Sequence, residues 1–191
     1  MLGNGHVRFG RRAAETDQSK DRHRAAARPH TKVWTAQHGW IYLHAIVDCC
    51  TRELVGWSVD LRCRDDEAIA VVEAAVLAHR IQPGRLTLGS DNGSQFTSRD
   101  FRKHLSARGM THRRGGSRDP ESQAFIESWF SQFKKRCAWR SEWESIDQAR
   151  KEIGAYVNGY HHRPHSGLGY RTPTEVAATW QDPDVLHTPA T

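Results

Sequence analysis

Leu86-Thr87-Leu88-Gly89-Ser90-Asp91-Asn92-Gly93-Ser94-Gln95-Phe96-Thr97-Ser98 is the stretch on which the fold turns. Leu86-Thr87-Leu88 is a short apolar strand, and it runs directly into a polar turn that begins at Ser90 and Asp91. A carboxylate at the end of a buried strand stands on rigid scaffold with its tip toward solvent, a common place for an active-site acid. Taken alone, the same residues also read as an ordinary Asp-Asn-Gly turn. A helix is expected from about Ser98 to Ala107, with Gly109 at its C-terminal cap.

Working outward, residues 65–80 are Ala-rich with acids in the first turn, which predicts a helix ended by Pro83-Gly84. Upstream, residues 40–47 and 53–59 are two β-rich runs around a polar turn, which predicts a hairpin. Downstream, Met110 to His112 reads as a short strand and residues 113–122 as a polar, flexible loop. Helices follow from Gln123 to Arg136 and from about Ile146 to Asn158. In the first of these, Phe125, Ile126, Trp129, Phe130 and Phe133 form one apolar stripe. Glu127 and Lys134, two turns apart, share a different face. That pair suits a metal-binding acid beside a phosphate-contacting base, and equally a solvated surface pair. The order of strands and helices is that of an α/β layered domain.

Composition narrows the function. The chain has 191 residues and a net charge of +6, of which residues 1–32 supply +5 through eight Lys/Arg against three Asp/Glu. A basic leader ahead of a near-neutral domain suits a polyanionic partner, and also a solvated tail. No apolar run is long enough for a membrane span and no secretory signal is visible, so a cytoplasmic protein is expected. Cys49, Cys50, Cys63 and Cys137 contain no CxxC pair and suggest neither a disulfide framework nor zinc. His161, His162 and His165 lack the further Cys or His ligands that would complete a tetrahedral zinc site.

The run Ser90 to Ser98 resembles the SDxGSQYTS block of bacterial insertion-sequence transposases, whose core is shared with retroviral integrases. Glu127-Ser128-Trp129-Phe130 with Lys134 resembles their ESFFxxxK block. Thirty-five residues separate Asp91 from Glu127, the interval that names the D,D-35-E group. Gly39 to Leu43, Asp48 to Trp57 and Tyr160 to Glu175 resemble three further blocks in the same order, so the likeness covers about residues 30–180.

The resemblance implies a ribonuclease-H-like fold, a five-stranded mixed sheet flanked by helices. It implies DNA transposition and integration by metal-dependent strand transfer, with two Mg²⁺ (or Mn²⁺) ions held by three carboxylates. Asp91 and Glu127 would be two of these catalytic, metal-binding acids. Lys134, Lys135, Arg113 and Arg114 would contact DNA, comprising transposon ends and target. A homo-oligomer is expected when active, and no membrane partner. The domain boundaries expected are a basic, disordered leader at 1–32, the catalytic core at 33–180 and a polar tail at 181–191.

One block departs from the pattern. The family's first catalytic Asp lies in a VWxTDITY-like segment, whereas here Val33-Trp34-Thr35 runs straight into Ala36-Gln37-His38-Gly39. Counting from Trp34, Gln37 takes the place of the missing Asp, and the first strand is expected to be truncated to Lys32–Thr35. Asp48 is a substitute ligand to be weighed. The family's N-terminal helix-turn-helix region is also not seen. The two-metal site is therefore expected to be incomplete. A catalytically dead DNA-binding remnant stands beside the active enzyme, with a simple ribonuclease H and a non-enzymatic interaction domain as weaker rivals.

Overall fold

The computed structural model describes residues 23–114 and 120–179. Five strands build one sheet: β1 (His23–Thr35), β2 (Gly39–Asp48), β3 (Leu54–Asp60), β4 (Leu86–Ser90) and β5 (Thr111–Arg114), in the order β3-β2-β1-β4-β5. The first three form an antiparallel meander, and β4 and β5 run parallel to β1. The helices are α1 (Asp65–Ala78), α2 (Ser94–Thr97), α3 (Arg99–Ala107), α4 (Pro120–Arg136), α5 (Ile146–His161) and α6 (Pro173–Thr179).

Strand alternation sorts the core into two layers. Ile41, Leu43, Ala45 and Val47 of β2 pack with Ile126, Trp129, Phe130 and Phe133 of α4 and with Ala149, Ile153 and Val157 of α5. On the opposite face Ile46, Leu86 and Leu88 pack with Val71, Val72 and Val76 of α1 and with Phe101 and Leu105 of α3. The apolar stripe read on α4 is thus its buried face. Trp129 and Phe133 stack at 5.5 Å with planes 4° apart. Close-packed aromatic contact of this kind adds to the area that burial removes from water.

The first strand is not short. β1 runs thirteen residues from His23 and pairs with β2 as far as Ala25↔Asp48 and with β4 from His23↔Leu86 to Ala27↔Ser90. Residues 23–32, read from sequence as disordered leader, are therefore the first ten of the thirteen residues of the central strand. The pairing register shifts between Arg28 and Thr31, an irregularity of the β-bulge type. The physical reason is that a central strand is specified by the two ladders flanking it, and Arg-rich, Ala-rich composition does not prevent their formation. The leader upstream of His23 and the tail at 181–191 lie outside the described residues.

Arg113 and Arg114 also move, from expected loop to edge strand. They pair with Gly89 and Ser90 of β4. Pro120 to Ser122, expected in the same loop, form the first turn of α4.

The C-terminal block clasps the β2–β3 turn. Tyr160 donates its hydroxyl proton to the Arg52 carbonyl at 2.8 Å, His161 Nε2 accepts from Leu54 N–H at 3.0 Å, and Thr174 donates to the His161 carbonyl at 3.1 Å. α6 starts with Pro173 at its first helical position and a reciprocal pair between Thr172 and Glu175: Thr172 N–H donates to the Glu175 carboxylate and Glu175 N–H to the Thr172 hydroxyl.

Candidate active site

Asp91 follows the last residue of β4, half-buried. Leu86 and Leu88 point to the α1 side, so position 91 continues the opposite row of Thr87 and Gly89, the side on which α4 packs. The Asp91 carboxylate accepts from Gly93 N–H at 2.8 Å, closing a turn that leads into α2. A glycine is needed at 93 for space. A Cβ there would stand 2.5 Å from the Gln95 amide nitrogen and 3.0 Å from the Asp91 carboxylate. Behind the turn, Ser90 is fully buried and hydrogen-bonded to His112 Nε2 at 2.8 Å, which ties β4 to β5. Burial, and then Arg114 and Arg102, hold the His112 imidazole below its ordinary range.

Glu127 is exposed on α4 beside the buried stripe, and α4 packs chiefly on β1. Lys134 is half-buried on the same helix, with Lys135 and Arg136 in its last turn. Cys63, just ahead of α1, reports an acidic field at this end of the sheet. Burial raises its thiol to about 11, and Glu67 and Asp91 add to the rise against a smaller lowering by Lys32.

The third carboxylate is where sequence and structure meet. Continuing the parallel register one step beyond Ala27↔Ser90 sets Arg28 beside Asp91. No residue of β1, HRAAARPHTKVWT, is acidic. Gln37, counted as the stand-in for the missing Asp, is elsewhere, in the β1–β2 turn. Its N–H donates to the Glu144 carbonyl at 2.9 Å and its side chain reaches the Glu144 carboxylate at 3.4 Å. Asp48 is at the level of Ala25 and on the other side of β1, so its backbone stands on the order of 14 Å from that of Asp91. Its carboxylate accepts from Cys50 and Thr51 N–H, both at 2.7 Å, and so builds the β2–β3 turn. Among the described residues no three His, Cys, Asp or Glu side chains come together in a group that could hold a metal ion. The donor set here does not fit a two-metal centre.

Integrase core domain models match residues 29–120 and 108–173. The chain belongs to the integrase core family. Among relatives of this integrase core are the transposase for insertion sequence element IS904 of Lactococcus lactis and transposase InsF for IS3A of Escherichia coli. The first is 29% identical over 153 residues, covering 75% of this chain and 60% of the relative. The second is 28% identical over 142 residues, covering 72% and 48%. An uncharacterized 31.7 kDa protein of insertion element IS407 from Burkholderia multivorans is 31% identical over 134 residues, covering 70% and 47%. The chain thus spans about half to three fifths of the length of these curated relatives. Among solved structures, the catalytic core domain of HTLV-2 integrase in complex with magnesium aligns with a TM-score of 0.55 at 15% identity, covering 84% of this chain and 97% of that one. A chain of the simian T-cell lymphotropic virus intasome aligns at 0.63 and 17%, covering 96% and 61%. At such identities the likeness concerns the fold, which is ribonuclease-H-like.

Sequence reasoning ended the leader at residue 32 and so passed over the strand that runs beside β4. It also passed over Arg52 and Trp129, although both lie inside blocks that carried the resemblance.

Proposed function

We propose that this chain is the DNA-engaging core of an insertion-sequence transposase whose metal site is one carboxylate short, so that it binds DNA without performing strand transfer by itself. The observation that carries the reading is the absence of any Asp or Glu from β1, the strand that runs beside Asp91. When bound in a complete site, a pair of Mg²⁺ or Mn²⁺ ions activates the attacking oxygen and neutralises charge on phosphorus. Asp91 and Glu127 would supply two of the three carboxylates. Two acids leave such a pair poorly neutralised. Lys134, Lys135, Arg113 and Arg114 would contact phosphates without reading sequence.

The proposed setting is the cytoplasm; no helix of the described residues is long and apolar enough to cross a membrane. Assembly with further copies is part of the proposal, and HTLV-2 integrase core is known in dimeric and trimeric forms.

The second reading is a competent enzyme that recruits Asp48, and the engagement of Asp48 with Cys50 and Thr51 argues against it. A strand-transfer assay with pre-cut donor ends, target DNA and Mn²⁺ separates the two. The expected result is no product, a deficit on the order of a thousandfold or more relative to a complete site. Robust product abolished by both Asp91→Asn and Asp48→Asn would overturn the proposal in favour of the second reading. Product abolished by Asp91→Asn alone would mean a ligand elsewhere.

A further inference from the structure

A second site lies two strands across the sheet from β4, where the β2–β3 turn meets α4 and the end of α5. It is a small pocket of about 30 Å³, partly open to solvent, whose polar wall is formed by Arg52, Ser128, Trp129, Gln132 and His165. No lining residue is a carboxylate. Two of the three Arg52 guanidinium nitrogens, Nε and Nη1, are buried without a hydrogen-bond partner. Trp129 is 2% exposed, and its indole N–H is also buried and without a partner. Buried donors are almost always paired, so three orphaned N–H donors around one cavity need an explanation.

The turn is built to hold that guanidinium in place. Arg52 has φ of 64°, a left-handed conformation unfavourable for a side chain of its size. Its N–H donates to the Asp48 carbonyl at 2.9 Å, its carbonyl accepts from Tyr160, and its guanidinium lies on the Phe125 ring, 3.1 Å from the centroid. The nearest acid of the turn, Asp48, already accepts from two backbone N–H groups. Burial pulls the Arg52 guanidinium below its ordinary range, and Cys49, Cys50, Tyr160 and Asp48 only partly oppose the fall.

We infer that this pocket binds a single phosphate group, held by Arg52 Nε–H and by the Trp129 indole N–H. A guanidinium N–H makes a charge-assisted bond to an oxyanion, and the indole and the Ser128 hydroxyl supply further donors. The group is either free phosphate or a backbone phosphate of DNA. Only the second source rests on the transposase reading. Occupancy would fix Ser128, the neighbour of Glu127 on α4, and so couple this end of the molecule to the candidate active site.

The test is a titration of ¹⁵N-labelled chain, following the indole N–H signals, with Trp129 assigned through Trp129→Phe. The probes are inorganic phosphate and, separately, a short DNA duplex, each at ionic strength held constant with chloride. The expected result is a saturable shift of the Trp129 signal, weakened at least tenfold in Arg52→Gln; the Arg52 Nε–H signal of the wild-type chain provides a second reading if that variant fails to fold. A shift with DNA assigns the backbone phosphate, and a shift with phosphate alone assigns the free anion even if the transposase reading fails. No saturable shift with either probe, or an equal response in a folded Arg52→Gln, overturns the inference.

Discussion

Replacing Tyr160 with Phe tests whether the C-terminal block braces the β2–β3 turn. Tyr160 is 5% exposed, and its hydroxyl is a donor to the Arg52 carbonyl at 2.8 Å. Tyr160→Phe leaves that carbonyl facing an apolar ring edge, a loss of about 1–3 kcal/mol near neutral pH. The hydroxyl also sets a pH dependence. Burial raises it to about 12 against the ordinary 10, with Arg52 opposing the rise. The neutral form is thus favoured in the folded state. Its contribution is complete below the unfolded-state value and is lost as pH climbs through the folded one. The two-unit difference amounts to about 3 kcal/mol, about half of it gone by roughly pH 11. Urea denaturation followed by circular dichroism at about pH 8 and about pH 11 should therefore show the gap between wild type and variant narrowing by about 1 kcal/mol. A gap that does not change with pH, or a variant as stable as wild type near neutrality, would refute the reasoning.

In the turn after β4, Gly93→Ala forces a Cβ against the buried Gln95 amide and the Asp91 carboxylate; it should cost about 1–3 kcal/mol in urea unfolding, and an unchanged midpoint would show that the turn yields freely. Phe133→Ala removes a fully buried ring stacked on Trp129 and should cost about 3–5 kcal/mol in the same measurement. Lys134→Ala combined with Lys135→Ala should weaken duplex binding equally for all sequences and lower the slope of log affinity against log salt by about one unit per lost contact. A slope identical to that of wild type would place neither lysine on a phosphate.

The hairpin of β2 and β3, the helix α1 and the stripe of α4 were legible because their periodicity is strong. The alternation Ile41, Leu43, Ala45, Val47 is the core face of β2, and Ile126, Trp129, Phe130 and Phe133 are the core face of α4. The capping pair that opens α6 was equally readable in Thr172-Pro173-Thr174-Glu175, although no helix was expected there. The first half of β1 was not legible, since Ala25-Ala26-Ala27 favours helix by propensity and becomes strand through tertiary pairing on both sides. That one misreading moved the position opposite Asp91 from the interior of a strand to a turn, and with it the identity of the neighbouring residue. Asp91 and Glu127 are proposed from their motifs; the Arg52 pocket needed coordinates, because Arg52 meets Trp129 only across a fold-level contact.

The central strand separates persistence of shape from persistence of chemistry. A ladder recognises only N–H and C=O groups, and small residues such as Ala25 to Ala27 offer both without steric conflict. The nine residues of β1 ahead of Lys32 can therefore occupy the middle of the sheet as a replaceable rail, with the irregularity between Arg28 and Thr31 absorbing the change of register. A carboxylate has no such backbone equivalent. Lineages of this fold can thus lose the segment that carries the reaction while the sheet reseals around the loss, leaving a sound scaffold whose surface charges remain free to take up other work.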